Sequence, residues 1–169
     1  GTGFLIQNGT AAITYSGAIS TSATFAVDID NHDSGNITFQ TGNITNTGQG
    51  IRVQNSNGGT IAINNPSKSL NTGANTSVNL VNNTGATINF GNGGLVINTT
   101  TGTGFNATGG GIINVTGTGN TIASVSAPAM NVVSTTIGSS NLNFLSISSG
   151  NNTAAADPAN GIVLNTTGS

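Results

Sequence analysis

Few side chains in this sequence could do chemistry. Its 169 residues include four carboxylates, two strong bases and one histidine. They are Asp28, Asp30, Asp33, Asp157, Arg52, Lys68 and His32. Enzymes that cleave polysaccharides need clustered carboxylates, with bases nearby where the sugars are acidic. The sparse supply predicts a protein without catalytic residues and without a cofactor.

Three of the carboxylates lie close together, which makes them a weak candidate for Ca²⁺. If Ile29 points inward along a strand, Asp28 and Asp30 project from the same outer face about 7 Å apart, and Asp33 follows them. The segment lacks the ligand spacing of a Ca²⁺ loop, and the sequence does not repeat it. We therefore predict no metal site, a solvated corner, and an exposed turn position for His32.

One pattern recurs seven times: a small residue, an apolar one, any residue, and a second apolar one. Its apolar pairs are Phe4/Ile6, Val27/Ile29, Ile51/Val53, Val78/Leu80, Phe105/Ala107, Met130/Val132 and Ile162/Leu164. Successive pairs lie roughly 25 residues apart, a period typical of repeat proteins. The alternation within each pair is that of a strand with one face buried.

Two further tracks keep step with the first. The second has the pairs Ile13/Tyr15, Ile37/Phe39, Ile61/Ile63, Ile88/Phe90, Ile113/Val115 and Leu142/Phe144. The third has the single residues Ile19, Ile44, Leu70, Ile97, Ile122 and Ile147. Three short strands per period, joined at Gly, Asn, Ser and Thr corners, form one coil of a stacked solenoid.

The tracks predict an all-β fold, a right-handed single-stranded parallel β-helix (β-solenoid) of about seven coils of roughly 25 residues. Right-handedness follows from the general crossover rule. Residues 1–169 form a single solenoid segment, a fragment or subunit of a longer fibre. In this stacking Arg52 lies one coil above Asp28, which predicts an ion pair on the surface.

One corner carries Asn at the same place in the first four coils, at Asn8, Asn31, Asn55 and Asn82. Asn tolerates left-handed backbone and can hydrogen-bond along such a stack. The residues at this place in the later coils are Gly109, Ser134 and Thr166. The sequence therefore predicts a partial asparagine column.

Composition excludes several kinds of partner. Two strong bases cannot neutralise a phosphate backbone, so nucleic acid is not expected as a partner. No run of about 20 apolar residues occurs, so we predict no membrane span. The sequence has no cysteine, which excludes a disulfide framework and thiolate metal sites.

The stretches GTGFNATGGGIINVTGTGNTIAS, TTIGSSNLNFLSIS and NGIVLNTTGS resemble the coil repeats of bacterial autotransporter passengers and filamentous-haemagglutinin-like adhesins. The resemblance covers the whole chain at the level of repeat style. It implies export to the outside of the cell or the cell surface, an elongated rod, and adhesive or matrix-forming work.

We therefore expect a structural or adhesive extracellular rod or filament that extends by coil stacking. Both outermost coils look as apolar as the interior ones, so the expected partners are flanking coils of the same chain or head-to-tail copies. A host-surface or matrix glycan is a further candidate partner. The loop residues proposed for contact are Pro66, Lys68, Asp157 and Pro158. The alternatives are a polysaccharide-processing β-helix enzyme or phage tailspike, and a glycan-binding module with exposed aromatics.

Overall fold

The computed structural model describes residues 1–151, 153 and 157–168, and these contain strands but no helix. The nineteen strands are β1 (Phe4–Gly9), β2 (Ile13–Tyr15), β3 (Ile19–Thr21), β4 (Phe25–His32), β5 (Ile37–Phe39), β6 (Ile44–Asn46), β7 (Gly50–Gln54), β8 (Thr60–Ile63), β9 (Lys68–Gly73), β10 (Val78–Val81), β11 (Thr87–Phe90), β12 (Leu95–Thr99), β13 (Phe105–Thr108), β14 (Ile112–Val115), β15 (Thr121–Ser124), β16 (Met130–Val133), β17 (Thr136–Leu142), β18 (Ser146–Ser149) and β19 (Ile162–Asn165).

Every third strand joins the same sheet, and all the strand pairs are parallel. Sheet A has the order β1-β4-β7-β10-β13-β16-β19, sheet B the order β2-β5-β8-β11-β14-β17, and sheet C the order β3-β6-β9-β12-β15-β18. Three consecutive strands thus make one coil. The all-β parallel solenoid is confirmed, with six complete coils followed by β19 where about seven were predicted. Its handedness stays a prediction.

Sheet A has the register that the sequence predicts. Its first inner column runs Phe4, Val27, Ile51, Val78, Phe105, Met130, Ile162, and its second runs Ile6, Ile29, Val53, Leu80, Ala107, Val132, Leu164. The members from Val27 to Val132 are buried, because large and β-branched side chains fill the narrow space between the sheets.

In sheet B the prediction for the sixth coil is wrong. Ile113 pairs with Ile137 and Val115 with Leu142, whereas Leu142 and Phe144 were predicted as the inner pair. The register of β17 shifts between these two pairs, since it has extra residues around Gly138. Phe144 still packs against the core, from just beyond the strand.

The third track combines two different inner columns of sheet C. Ile19 pairs with Ile44 and Ile44 with Lys68, not with Leu70. Leu70 belongs to the neighbouring column, where it pairs with Asn46 on one side and Ile97 on the other. The hydrophobic pattern fails here because two inward positions carry the polar residues Asn46 and Lys68, and both are fully buried.

The corner that ends each sheet A strand has a left-handed backbone in all seven cases, although only the first four carry Asn there. Its φ values are 55° at Asn8, 57° at Asn31, 54° at Asn55, 57° at Asn82, 78° at Gly109, 51° at Ser134 and 55° at Thr166. The left-handed conformation therefore continues in the last three strands, where other residues replace Asn. Ser134 and Thr166 hold a backbone conformation that residues other than Gly and Asn seldom adopt.

Candidate functional site

Asp28 and Arg52 face each other across β4 and β7 on the outer side of sheet A. The Arg52 Nε and Nη2 atoms donate to Asp28 Oδ1 and Oδ2, both at 2.8 Å. The guanidinium carbon also lies 4.4 Å from the ring centroid of Phe25. The predicted ion pair is confirmed, but Asp28 is only 5% exposed, so the pair is more shielded than an ordinary surface pair.

This geometry holds Arg52 in its charged form. The hydrogen-bonded carboxylate of Asp28 raises the pKa of Arg52 above its ordinary value, against a smaller opposing effect of burial. A two-point contact between guanidinium and carboxylate also fixes the plane of the guanidinium. The charge of Arg52 is therefore matched within the protein.

The other two carboxylates of the Ca²⁺ candidate bind side chains of the next coil. Asp30 accepts hydrogen bonds from Gln54 Nε2 and Asn55 Nδ2, each at 3.0 Å. Asp33 accepts one from Asn57 Nδ2 at 3.1 Å. No cluster of three or more His, Cys, Asp or Glu suited to a metal occurs among the described residues. These acids link the second coil to the third.

His32 is fully buried, so its predicted exposed position is wrong. It is the last residue of β4 and pairs with Gly9, where an added Cβ would lie 3.1 Å from the imidazole Nδ1. The absence of a side chain at Gly9 thus leaves room for the ring. His32 Nε2 lies 3.4 Å from the carbonyl oxygen of Gly35, and Nδ1 has no partner in the described part of the chain.

Lys68 was predicted in a protruding loop, and this placement is wrong because it is the fully buried first residue of β9. Its Nζ donates to the carbonyl oxygens of Asn65 at 2.5 Å, Gly91 at 2.9 Å and Gly93 at 2.7 Å. Burial lowers the pKa of Lys68 to about 8, while the three acceptors favour its charged form. This ammonium links the third coil to the fourth.

The remaining loop candidates lie at the surface. Pro66 and Asp157 are exposed and Pro158 is partly so. Asp157 Oδ1 accepts a hydrogen bond from the backbone N–H of Asn151 at 2.8 Å. Residues 152 and 154–156 of this loop lie outside the described residues.

The predicted asparagine column is hydrogen-bonded between Asn31 and Asn8, whereas a second asparagine ladder on the outside of sheet A was not predicted. Asn106 donates to Asn79 and Asn131 donates to Asn106, both at 2.8 Å, and a similar bond of 2.7 Å joins Asn31 to Asn8. The signal was present, since Asn stands between the two apolar residues of the first track in three consecutive repeats. These amides pair coil with coil, as the aspartates do.

Comparison with known proteins places the chain in no family. No family model, no curated protein and no solved structure matches it. The fold and the side-chain geometry are therefore the basis for proposing a function. Within the described residues, no helix has the length and apolar character needed to cross a membrane.

Proposed function

We propose that this protein is a non-enzymatic structural element, a rod that lengthens by continuous stacking of coils in a secreted or surface-attached fibre. The observation that carries the proposal is the direction of its polar contacts. Asp28, Asp30, Asp33 and Lys68 all bind groups of an adjacent coil. Groups that could have served catalysis instead hold coils together along the axis.

The outermost strands supply the surface for further stacking. In β19, Ile162 and Leu164 continue the two inner columns of sheet A and are 50% and 54% exposed. One more coil placed on them would bury both side chains and pair the edge of β19 that has no partner strand within the described residues. The partner that fits is another coil of the same kind, from the same chain or from a second copy.

An extracellular location is part of the proposal, and two features support it. Stability rests on backbone ladders, apolar columns and amide pairs, and the sequence has no cysteine whose oxidation state could matter. The repeat style also resembles that of exported bacterial adhesins. Localising the native protein by surface labelling with a membrane-impermeant reagent tests this part.

Electron microscopy and sedimentation of the purified chain test the stacking. Filaments with an axial repeat of about 34 Å, from the seven strands of sheet A at about 4.8 Å each, are expected if copies stack on β19. Leu164→Asp places a charge on the stacking face and should shorten or abolish them. Ile112→Asp is the matched control, since Ile112 is an outward position of β14, a strand that is paired on both sides, and is already 41% exposed.

Wild-type chains that stay monomeric and behave as Leu164→Asp does would contradict assembly from stacked copies. Enzymatic activity is tested separately with a panel of acidic and neutral polysaccharides. Release of reducing or unsaturated ends by the pure chain would contradict the non-enzymatic role.

A further inference from the structure

A small cleft opens on the outer side of the solenoid where sheet C turns into sheet A. It is lined by Phe25, Gln49, Asn75, Thr76 and Asn79 and has a volume of about 210 Å³. These residues come from three consecutive coils, so the cleft spans about 10 Å along the axis. It lies apart from both outermost coils and from the faces that stack.

Phe25 lies at the irregular start of β4, beside a glycine of the next coil. It pairs with Gly50 on β7, and the register shifts between Phe25 and Val27. Gly50 has a φ of 78°, and an added Cβ would lie 1.9 Å from the carbonyl oxygen of Ser77. Local backbone geometry thus excludes a side chain at Gly50, and the Phe25 ring lines the cleft.

The Phe25 ring, which forms one side of the cleft, is held in position. Arg52 lies over the Phe25 ring at 4.4 Å and is itself fixed by two hydrogen bonds to Asp28. Phe25 was the one phenylalanine that the sequence pattern did not place inside the core. A ring fixed before binding loses little freedom when a ligand contacts it.

Several polar groups around the ring have no partner in the described part of the chain. The side chains of Gln49 and Thr76 make no hydrogen bond there. Asn79 accepts a bond from Asn106 through Oδ1, which leaves its Nδ2 donor for a ligand. Asn75 donates to the carbonyl of Gly48, which leaves its Oδ1 acceptor. Donors and acceptors therefore surround one aromatic ring.

We infer that this cleft binds one unit of a neutral saccharide. The C–H face of a sugar ring packs against an aromatic side chain, and its hydroxyls both donate to and accept from amides. An anionic sugar is disfavoured because Asp28 already neutralises Arg52. The inference goes beyond the rod function, because a single unstacked chain has the complete cleft.

Saturation-transfer NMR with the monomeric chain, outside any filament, tests the inference. The probes are glucose, galactose, mannose, N-acetylglucosamine and their common disaccharides. Transfer to at least one of them is expected, with millimolar affinity as suits so small a contact. Phe25→Leu should abolish the transfer, and Gln49→Ala should weaken binding about fivefold or more, the effect of one lost hydrogen bond.

Gln40→Ala is the matched control, because Gln40 is an exposed glutamine of the second coil whose amide bonds to Ser16, away from the cleft. It should leave binding unchanged. Gln49→Ala should keep the wild-type melting curve, since the Gln49 side chain makes no hydrogen bond within the described residues and is only half-buried. The inference is overturned if no probe shows transfer, if Phe25→Leu and Gln49→Ala bind as the wild type does, or if a peptide occupies the cleft and no saccharide does.

Discussion

The left-handed corner gives the sharpest test of the fold, at Ser134. Its φ of 51° forces a serine into a conformation that costs an ordinary L residue about 1–2 kcal/mol. Asn and Gly avoid most of this cost, whereas a β-branched residue experiences it fully. Ser134→Asn should therefore stabilise the protein by about 0.5–1 kcal/mol, and Ser134→Val should destabilise it by about 1 kcal/mol.

The matched control is Ser69, an interior position of β9 that faces outward between Thr45 and Val96. Its backbone is extended, so Val is favoured there over Asn. The difference in the free energy of unfolding is up to about 1 kcal/mol. The same two substitutions should thus have opposite signs at the two serines. Because Ser134 is exposed, neither of its variants disturbs the core.

Urea and thermal unfolding followed by circular dichroism measure these differences. For a chain of this size, 1 kcal/mol corresponds to a shift of about 2–4 °C in Tm. If Ser134→Val stabilises, or if Ser134→Asn destabilises as Ser69→Asn does, the corner is not left-handed and the argument fails.

Two other predictions concern the interior. Because burial lowers the pKa of Lys68 from 10.5 to about 8, the unfolded chain binds more protons between these values, and the stability of the wild type should rise as the pH increases through this window. Lys68→Met should remove that rise, and equal pH profiles for the two proteins would show that Lys68 does not cause it. Phe105→Ala should cost about 3–5 kcal/mol, since Phe105 is fully buried between Phe90 and Phe144. Leu5→Ala, at a half-exposed position, should cost well under half of that, and similar losses in urea denaturation would contradict the assigned core.

The sequence predicted the parts of the fold that depend on apolar alternation. Sheet A follows it throughout, because both inner columns are apolar in every coil. It could not predict the sheet C columns, since Asn46 and Lys68 are polar yet inward. Asn46 is accommodated because its Oδ1 accepts the backbone N–H groups of Gly48 and Gly50, and such compensation is not visible in a hydrophobic pattern.

The candidate sites, like the fold, were predicted from the sequence only in part. The pairing of Asp28 with Arg52 followed from coil spacing alone, because residues one period apart are neighbours. The burial of His32 did not, because it depends on how far β4 extends and on the space beside Gly9. The cleft at Phe25 was missed as well, since its lining comes from three coils and includes residues outside the three apolar tracks.

The change of inner residues in sheet C divides the solenoid into two unlike blocks. One inner column runs Ile19, Ile44, Lys68 and Leu95. The neighbouring column is apolar from Leu70 onward, through Ile97, Ile122 and Ile147. In a protein whose stability is a sum over neighbouring repeats, we expect partial unfolding to stop at a junction that differs from the others. Exchange or duplication of coils within a block should then cost less stability than a recombination that moves a coil across Lys68, because the ammonium would lose the carbonyl groups of Gly91 and Gly93.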